Sequence, residues 1–230
     1  MKKTLVVLTG AGISAESGIA TFRDSDGLWE NYSIEDVATP AGWERDSALV
    51  QRFYNERRKQ LPTVKPNEGH KILAKLEQYY NVRIITQNVD DLHERGGSTQ
   101  ILHLHGELTK ARSVKDPNTI YDVGYEEIKH GDLAKDGSLL RPHIVWFHED
   151  VPEIINAVEL AAEADIFVVV GTSMQVYPAA SLVNYVHEKT PIYIIDPKKP
   201  DISMTENMTF IQAGGSEGLA KLWEILVENK

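Results

Sequence analysis

Thr9-Gly10-Ala11-Gly12-Ile13-Ser14-Ala15-Glu16-Ser17-Gly18-Ile19-Ala20-Thr21-Phe22-Arg23-Asp24 follows a short apolar run, Leu5-Val6-Val7-Leu8. The run is continuous, not alternating, and so reads as a parallel strand buried on both faces. A strand followed by two glycines one residue apart, small residues and a helix start is how an open α/β sheet builds a pyrophosphate site. Gly10 permits the tight turn, Gly12 lets backbone approach phosphates, and the helix N-terminus offers N–H groups at its positive end. Gly10, Gly12 and Ala15 match G-x-G-x-x-G/A, a weak signal by itself. What comes next departs from a hydride-transfer enzyme. Gly18 breaks the helix early, and Phe22, Arg23, Asp24, Asp26, Gly27, Leu28 and Trp29 make a polar, aromatic loop in place of a second strand. That loop is expected to fold over the nucleotide as a mobile lid and touch its reacting end.

Working outward, Val82-Arg83-Ile84-Ile85-Thr86 reads as a second buried strand ending in Gln87-Asn88-Val89-Asp90-Asp91. Asp165-Ile166-Phe167-Val168-Val169-Val170-Gly171 is the clearest central strand and runs into Thr172-Ser173-Met174. Pro191 to Ile195 supplies another, and Gln100 to Leu104 a short one with His103 and His105 on one face. Asp46 or Ser47 caps a helix to about Gln60, and Asn67 caps one whose apolar stripe is Ile72, Leu73, Leu76 and Tyr80. Pro152 starts a helix to Ala164, and Pro178–His187 and Glu217–Asn229 complete the set. Ser33 to Trp43 reads as irregular, punctuated by Pro40 and Gly42.

From Leu108 the character changes: Lys110 to Pro117 is basic and polar, and Tyr125-Glu126-Glu127-Ile128 reads as a helical turn. Residues 108–140 are expected to be a small inserted subdomain, after which Arg141 to Phe147 return to the core as a strand. Strands alternating with helices predict a single α/β domain over residues 1–230, a doubly wound, Rossmann-like parallel sheet carrying that insertion. Ligands in such sheets bind beyond the C-terminal strand ends. Three loops, Gly10–Arg23, Gln87–Asp91 and Gly171–Met174, therefore converge on one nucleotide site.

With 230 residues, 42% of them hydrophobic and 25% charged, the chain has the composition of an ordinary globular protein. A net charge of -10 argues against nucleic acid as a partner, because phosphate backbones demand a basic face. The absence of cysteine excludes disulfides, thiolate catalysis and cysteine-ligated zinc. Met1-Lys2-Lys3 leads straight into the first strand, and no apolar run approaches membrane-spanning length. The expectation is a cytoplasmic protein with no membrane partner.

His105 is the best general acid or base, since imidazole titrates near neutrality. Of the pair His103 and His105, one is expected to be catalytic and the other structural. His103, His105, His143 and His148 with Asp90 and Asp91 could instead hold a metal for hydrolysis. No H-E-x-x-H or other fixed spacing is present, and the glycine loop would then have no role. No G-x-S-x-G elbow supports a serine hydrolase. Tyr54 and Arg57 project from one side of a helix. Within Glu56-Arg57-Arg58-Lys59 a solvated face competes with a binding role, and the residues alone leave both open.

Taken together, Gly10 to Ile19, Thr21-Phe22-Arg23, Gln87-Asn88-Val89-Asp90, Leu104-His105-Gly106, Arg141-Pro142-His143 and Gly171-Thr172-Ser173 resemble the sirtuins, NAD-dependent protein lysine deacylases. The match runs from the first strand to roughly Pro197, with the motifs in family order. The resemblance implies NAD as a consumed co-substrate, its pyrophosphate at Gly10, Ala11 and Gly12. The nicotinamide ribose is implied near Arg23, Gln87, Asn88 and Asp90, and the adenosine side near Gly171, Thr172, Ser173 and Asp196. Ser14, Glu16, Thr21, Phe22, Trp29, Val89, Ile195 and Gly215 belong to the same implied set. His105 is implied as general base on a ribose hydroxyl, with Asn88 and Asp90 in the catalytic group. The products would be free lysine, nicotinamide and O-acyl-ADP-ribose. Val145-Trp146-Phe147 and the segment from Met174 to Tyr177, Val176 included, match the groove where acyl-lysine peptides add as a strand.

Tyr54 and Arg57 match the pair that recognises acidic acyl groups in one sirtuin class, so succinyl- and malonyl-lysine are expected substrates beside acetyl-lysine. On the same pocket, an NAD glycohydrolase, an ADP-ribosyltransferase or a non-catalytic NAD sensor are the alternatives. The chain is expected to be monomeric. It departs from the family in lacking the four zinc cysteines, with Ser113 where the first would stand. The subdomain is therefore expected to hold no zinc and to cohere by packing alone or move. His148 replaces a usual glycine, and Ile194 an asparagine near the adenosine ribose.

Overall fold

Leu5, Val6, Val7 and Leu8 offer water nothing on either face, and the fold buries all four completely. Thr4–Thr9 is strand β1. Leu5 and Val7 join one core with Leu73, Leu76, Val168 and Leu219, while Val6 and Leu8 join the opposite core with Phe167, Val169, Ala161 and Leu182. The computed structural model describes residues 2–20, 32–172, 174 and 179–228, and the backbone of 28–29.

After β1 come Ala11–Ala15 (α1), a two-stranded hairpin of Leu28–Trp29 (β2) and Tyr32–Ser33 (β3), Ile34–Val37 (α2), Pro40–Arg45 (α3) and Ser47–Gln60 (α4). Glu68–Leu76 (α5), Asn81–Thr86 (β4), Leu92–Gly96 (α6), Ile101–His103 (β5), Gly106–Ser113 (β6), Ile120–Asp122 (β7) and Leu140–Ile144 (β8) follow. The chain continues with Ile154–Ala162 (α7), Ile166–Val170 (β9), a 3-10 helix Ala179–Tyr185, Ile192–Asp196 (β10), Met208–Gln212 (β11) and Gly215–Trp223 (α8). A π-helical turn, Glu224–Glu228, extends α8. Among the described residues no helix is long and apolar enough to cross a membrane.

Six strands form one parallel sheet in the order β11-β10-β9-β1-β4-β5. Counted within the sheet, this is the doubly wound, Rossmann-like order, and it reverses between β1 and β9. The expected α/β class is therefore what the chain adopts. Caps fall where the side chains dictate. Asp46 accepts the Leu49 N–H at 2.9 Å, and Asn67 accepts those of Gly69 and His70 while its own amide donates to the Ile13 carbonyl at 2.7 Å. Asn67 thus ties α5 to α1 and the glycine loop.

Several expectations are corrected. The stretch from Ser33 to Trp43 holds two short helices, because Thr39 caps α3 through the Gly42 N–H and Pro40 sits at its first position, where a missing N–H costs nothing. Tyr125 to Ile128 makes no helical turn. The Ile128 carbonyl instead accepts from Gln51 and Asn55 of α4. Arg141 to Phe147 do not rejoin the main sheet: β8 ends at Ile144 and pairs antiparallel with β6 in a separate three-stranded sheet, β7-β6-β8. The edge strand β11 had no signal of its own, since Ile211 is its one buried residue. Pro178–His187, expected as a helix, is the 3-10 segment from Ala179. His103 and His105 do not share a strand face, because β5 stops at His103 and the chain turns.

The small sheet is held by more than packing. Ser113 Oγ donates to Asp136 at 2.6 Å, and accepts the Lys115 and Asp116 N–H groups at 3.0 and 2.9 Å. Ser138 adds its N–H at 2.9 Å and its hydroxyl at 2.7 Å to Asp136. Ser113 and Asp116 keep the two-residue spacing of a zinc knuckle, yet a neutral hydroxyl with its lone pairs taken by amides is no zinc ligand, and no thiolate is present. The residues do not fit zinc. The hydrogen bonds from Ser113 and Ser138 hold the Asp136 carboxyl down at about 2. Its depressed value means the contribution is complete above the ordinary carboxylate range and fades as pH falls toward about 2. Replacing Ser113, which is buried, with alanine should lower stability by removing the donor to Asp136 and the acceptor of the Lys115 and Asp116 amides. Thermal melts are expected to show that loss and no shift with EDTA; a chelator-induced drop in Tm would mean that a metal holds the sheet.

Candidate active site

The reversal between β1 and β9 leaves a crevice, and there the structure opens a cavity of about 530 Å³. Its floor is the glycine loop. The Gly10 N–H donates to the Val170 carbonyl at 3.0 Å and the Gly12 N–H to the Gly171 carbonyl at 2.8 Å, so both amides close the loop onto the end of β9. Gly171, with φ of 62°, tolerates no Cβ, which would lie 2.5 Å from the Ile13 nitrogen. Gly10, Ala11, Gly12, Ser14, Gly171, Thr172 and Asp196 all line the cavity.

Gln87, Asn88, Val89 and Asp90 enter from the end of β4. Thr9 and Thr86 are register partners at the ends of β1 and β4, and the Thr9 hydroxyl donates to that of Thr86 at 2.9 Å. The Thr86 hydroxyl in turn accepts the Asn88 N–H at 3.1 Å, and His93, buried and held well below the usual histidine range by that burial, bonds Thr9 at 3.0 Å. Asn88 Nδ2 donates to Ser14 Oγ at 3.1 Å, and Ser14 donates to Asp90 Oδ2 at 3.0 Å. Burial raises the Asp90 carboxyl, opposed by the Leu92 N–H and the Ser14 hydroxyl. A directed chain of donors thus runs from Asn88 to Asp90.

His105 faces this group from the turn after β5. Its Nδ1 lies 3.0 Å from the Gln87 carbonyl, which can only accept. The proton therefore sits on Nδ1 and Nε2 keeps a lone pair. Burial lowers the His105 pKa, only partly offset by that carbonyl. The imidazole is a neutral base at neutral pH. The turn requires Gly106, with φ of 79°, since a Cβ there would overlap the His143 carbonyl.

Tyr54 and Arg57 of α4 line the same cavity. Both are buried, as is Arg58, so the basic run is no solvated face. Arg58 anchors α4 to β6, donating to the Leu108 carbonyl at 2.6 Å, and burial lowers its pKa to about 10, which leaves it charged. The Arg57 guanidinium lies 5.5 Å from the Phe53 ring centroid. Val145, Trp146 and Phe147 also line the cavity. Their N–H groups are all engaged, to the His105 carbonyl at 2.9 Å, the Glu149 carboxylate at 2.8 Å and the Ala38 carbonyl at 2.9 Å.

Three expected site residues lie away from the cavity wall. Glu16 is exposed and accepts the Ser216 N–H at 3.1 Å, Ile195 is core and gives its carbonyl to the Gly171 N–H at 2.9 Å, and Gly215 packs on Ile13. Thr21, Phe22, Arg23, Ser173 and Val176 fall outside the described residues, as does the side chain of Trp29. Of the loop expected to run without a strand from Phe22 to Trp29 as a lid, all but the end falls there too, and that end is corrected: the Leu28–Trp29 backbone is β2, paired antiparallel with β3. The residues considered for a metal hydrolase do not converge. Among the described residues the donors close enough to share an ion are Glu94, His103 and Glu107. His103 is occupied by Glu94 at 2.7 Å. Sequence reasoning missed Ile19, Ala38, Leu61 and Val151, generic apolar residues in the wall. It also missed the Thr9–Thr86–His93 support, although threonines ending two adjacent strands were a usable sign.

The sequence model of the Sir2 family matches residues 10–178. An NAD-dependent protein deacylase of Bacteroides thetaiotaomicron is 56% identical over 230 residues, covering 98% of each chain, and one of Helicobacter pylori is 53% identical over 226 residues, again 98% of each. Among solved structures, a Sir2 homologue in complex with NAD superposes with a TM-score of 0.87 at 38% identity, covering 99% of this chain and 90% of that one. A Sir2 bound to a p53 peptide and NAD+ gives 0.78 at 30% identity, over 97% and 93%. The family motifs, the reversed parallel sheet and these relatives agree along nearly the whole length: the chain belongs to the Sir2 family.

Proposed function

We propose that this protein is an NAD-dependent protein lysine deacylase that removes acidic acyl groups as well as acetyl. The observation that carries the reading is one cavity lined both by a neutral His105, with its Nε2 lone pair open, and by a buried arginine–tyrosine pair. NAD fits this lining. Gly10 and Gly12 bring no side chain against a pyrophosphate, and the Asp196 carboxylate at the end of β10 suits ribose hydroxyls. When bound, NAD supplies the ribosyl carbon that takes up the acyl oxygen as nicotinamide departs.

The chain's own groups do the rest. Asn88, Ser14 and Asp90 form a fixed polar wall, preorganised by hydrogen bonds made before any ligand arrives. His105 Nε2 takes the proton from a ribose hydroxyl, and the Gln87 carbonyl stabilises the resulting imidazolium at Nδ1. Because the amides of 145–147 are already engaged, a peptide strand added there pairs by donating its own N–H groups to carbonyls of this segment. Arg57 offers a planar fork of donors and Tyr54 one more, a set suited to the carboxylate of a succinyl or malonyl chain.

Incubation with NAD and acyl-peptides should release nicotinamide only when acyl-peptide is present. Release without it would replace this reading by a glycohydrolase. His105→Ala should lower kcat/KM by at least about 100-fold. The acid limb of the wild-type profile should lie below 6.5, because the neutral form persists to lower pH when burial lowers the pKa. A limb above that value would mean another group is the base. Arg57→Met should reduce succinyl-peptide kcat/KM by about 30–100-fold, the equivalent of roughly 2–3 kcal/mol for a lost charged hydrogen bond, and far more than it reduces acetyl-peptide turnover. Equal losses on both peptides would make Arg57 structural.

A further inference from the structure

Tyr54 and Arg57 line the cavity from α4, and three other polar side chains of that helix, Gln51, Asn55 and Arg58, do not. Positions 51, 55 and 58 are four and three apart, so they form one stripe, about a quarter turn round the helix from 54 and 57. What the stripe meets is the chain after β7. Asn55 Nδ2 donates to the Ile128 carbonyl at 2.8 Å, and Asn55 Oδ1 accepts the Ile128 N–H at 3.1 Å. One side chain thus pairs with both backbone polar groups of one residue, as a neighbouring strand would. Gln51 Nε2 adds a second donor to the same carbonyl at 3.0 Å. Arg58 Nη1 donates to Asn55 Oδ1 at 2.6 Å, and two N–H donors on that atom settle which end of the amide is oxygen. Within residues 124–130 Ile128 is the one buried residue. The same segment is tied down three residues earlier. The Tyr125 hydroxyl donates to the Asp91 carboxylate, Asp91 pairs with Arg95 at 3.2 Å, and Arg95 donates to the Leu61 carbonyl at 2.8 Å, immediately beyond the C-terminus of α4. The contacts close a ring that leaves α4 at Asn55 and returns to its end.

Val50, Phe53 and Leu61 pack this helix against the core, but apolar packing is non-directional. The paired bonds to Ile128 are directional, and they set the roll of α4 about its axis. A guanidinium at the end of an arginine side chain magnifies such a roll, and a shift of about 1 Å spoils a two-pronged fit to a carboxylate. An acetyl group presents no carboxylate and does not depend on that fit. We infer that Asn55, through Ile128, is a positioning residue for acidic-acyl recognition, fixing α4 so that Arg57 meets the substrate carboxylate. The strap from Tyr125 to Ile128 thereby sets acyl selectivity from outside the cavity. This rests on the reading that Arg57 receives that carboxylate.

The test is a double-mutant cycle read as the ratio of kcat/KM on a succinyl-lysine peptide to that on an acetyl-lysine peptide of the same sequence, at saturating NAD. The ratio removes any general damage to the fold, which would fall on both peptides alike. N55A deletes both bonds to Ile128; it should lower the ratio about tenfold through the succinyl KM, with acetyl kcat/KM within about twofold of wild type. N55A/R57M should fall no further than R57M alone. An unchanged ratio in N55A, or a double mutant showing the product of the two losses, would overturn the inference. Y125F removes a single exposed hydroxyl from the other end of the strap, and serves if N55A does not fold. It should lower the ratio about threefold in the wild-type background and not at all beside R57M, and no change in the wild-type background would overturn the inference. R57M separates this from failure of the underlying reading. If R57M leaves the ratio unchanged, acidic-acyl recognition itself is wrong; if R57M lowers it and N55A does not, only the positioning role is.

Discussion

Everything at the site depends on two strand ends meeting backbone to backbone. β1 and β9 are neighbours, and the loops beyond them close through amides of Gly10 and Gly12 donated to the Val170 and Gly171 carbonyls. A Cβ on Gly12 would lie 2.6 Å from the Gly171 Cα, so no other residue allows the approach. This contact keeps the crevice open as a single cavity shared by the glycine loop, the β4 end and the β10 end. It also changes how the glycine motif should be read. The amides of the two glycines serve the protein, and what they leave for a ligand is a surface free of side chains at the start of a five-residue helix.

The parts of the fold legible in the sequence were those where local pattern and burial agree. Ile166 to Val170 are buried on both faces and could be nothing but a central strand. Asp46 and Asn67 cap helices with the geometry their side chains prefer. What could not be read was tertiary in origin. β11 is a strand because β10 offers it an edge, and its own residues, Ile211 apart, are exposed or half-exposed. Arg58 looked like one charge in a basic run and is among the most deeply buried side chains, its Nε taken by the Leu108 carbonyl and its Nη1 by Asn55. Nothing in Glu56-Arg57-Arg58-Lys59 announces which of its cations face inward.

The site was legible through its polar residues and silent on its supports. His105, Asn88, Asp90 and Ser14, picked out by the motifs, line the cavity, while Glu16, Ile195 and Gly215 brace the loop from outside it. The direction of each hydrogen bond came only from structure. A carbonyl beside Nδ1 decides the histidine tautomer, and Ser14 between Asn88 and Asp90 decides which side chain donates. These are choices of proton position, and sequence spacing carries no record of them.

How a chain without cysteine closes its small sheet becomes intelligible through register. β6 begins at Gly106, immediately after His105, and β8 ends at Ile144, immediately before Val145, so both strands of the small sheet emerge from the site. Gly106 pairs with Ile144 at that near end and Ser113 with Leu140 at the far end. The near end is fixed by groups of the main body, through Arg58 on the Leu108 carbonyl and the Val145 N–H on that of His105. The far end needs some closure so that the two strands do not splay, and it lies eight residues along β6 from the turn at His105, beyond a break in register between Gly106 and Ala111. A knot of hydroxyl, amide and carboxylate around Ser113 supplies it. The requirement at that end is mechanical, a link between two strand ends, and hydrogen bonds among a hydroxyl, two amides and a carboxylate meet it.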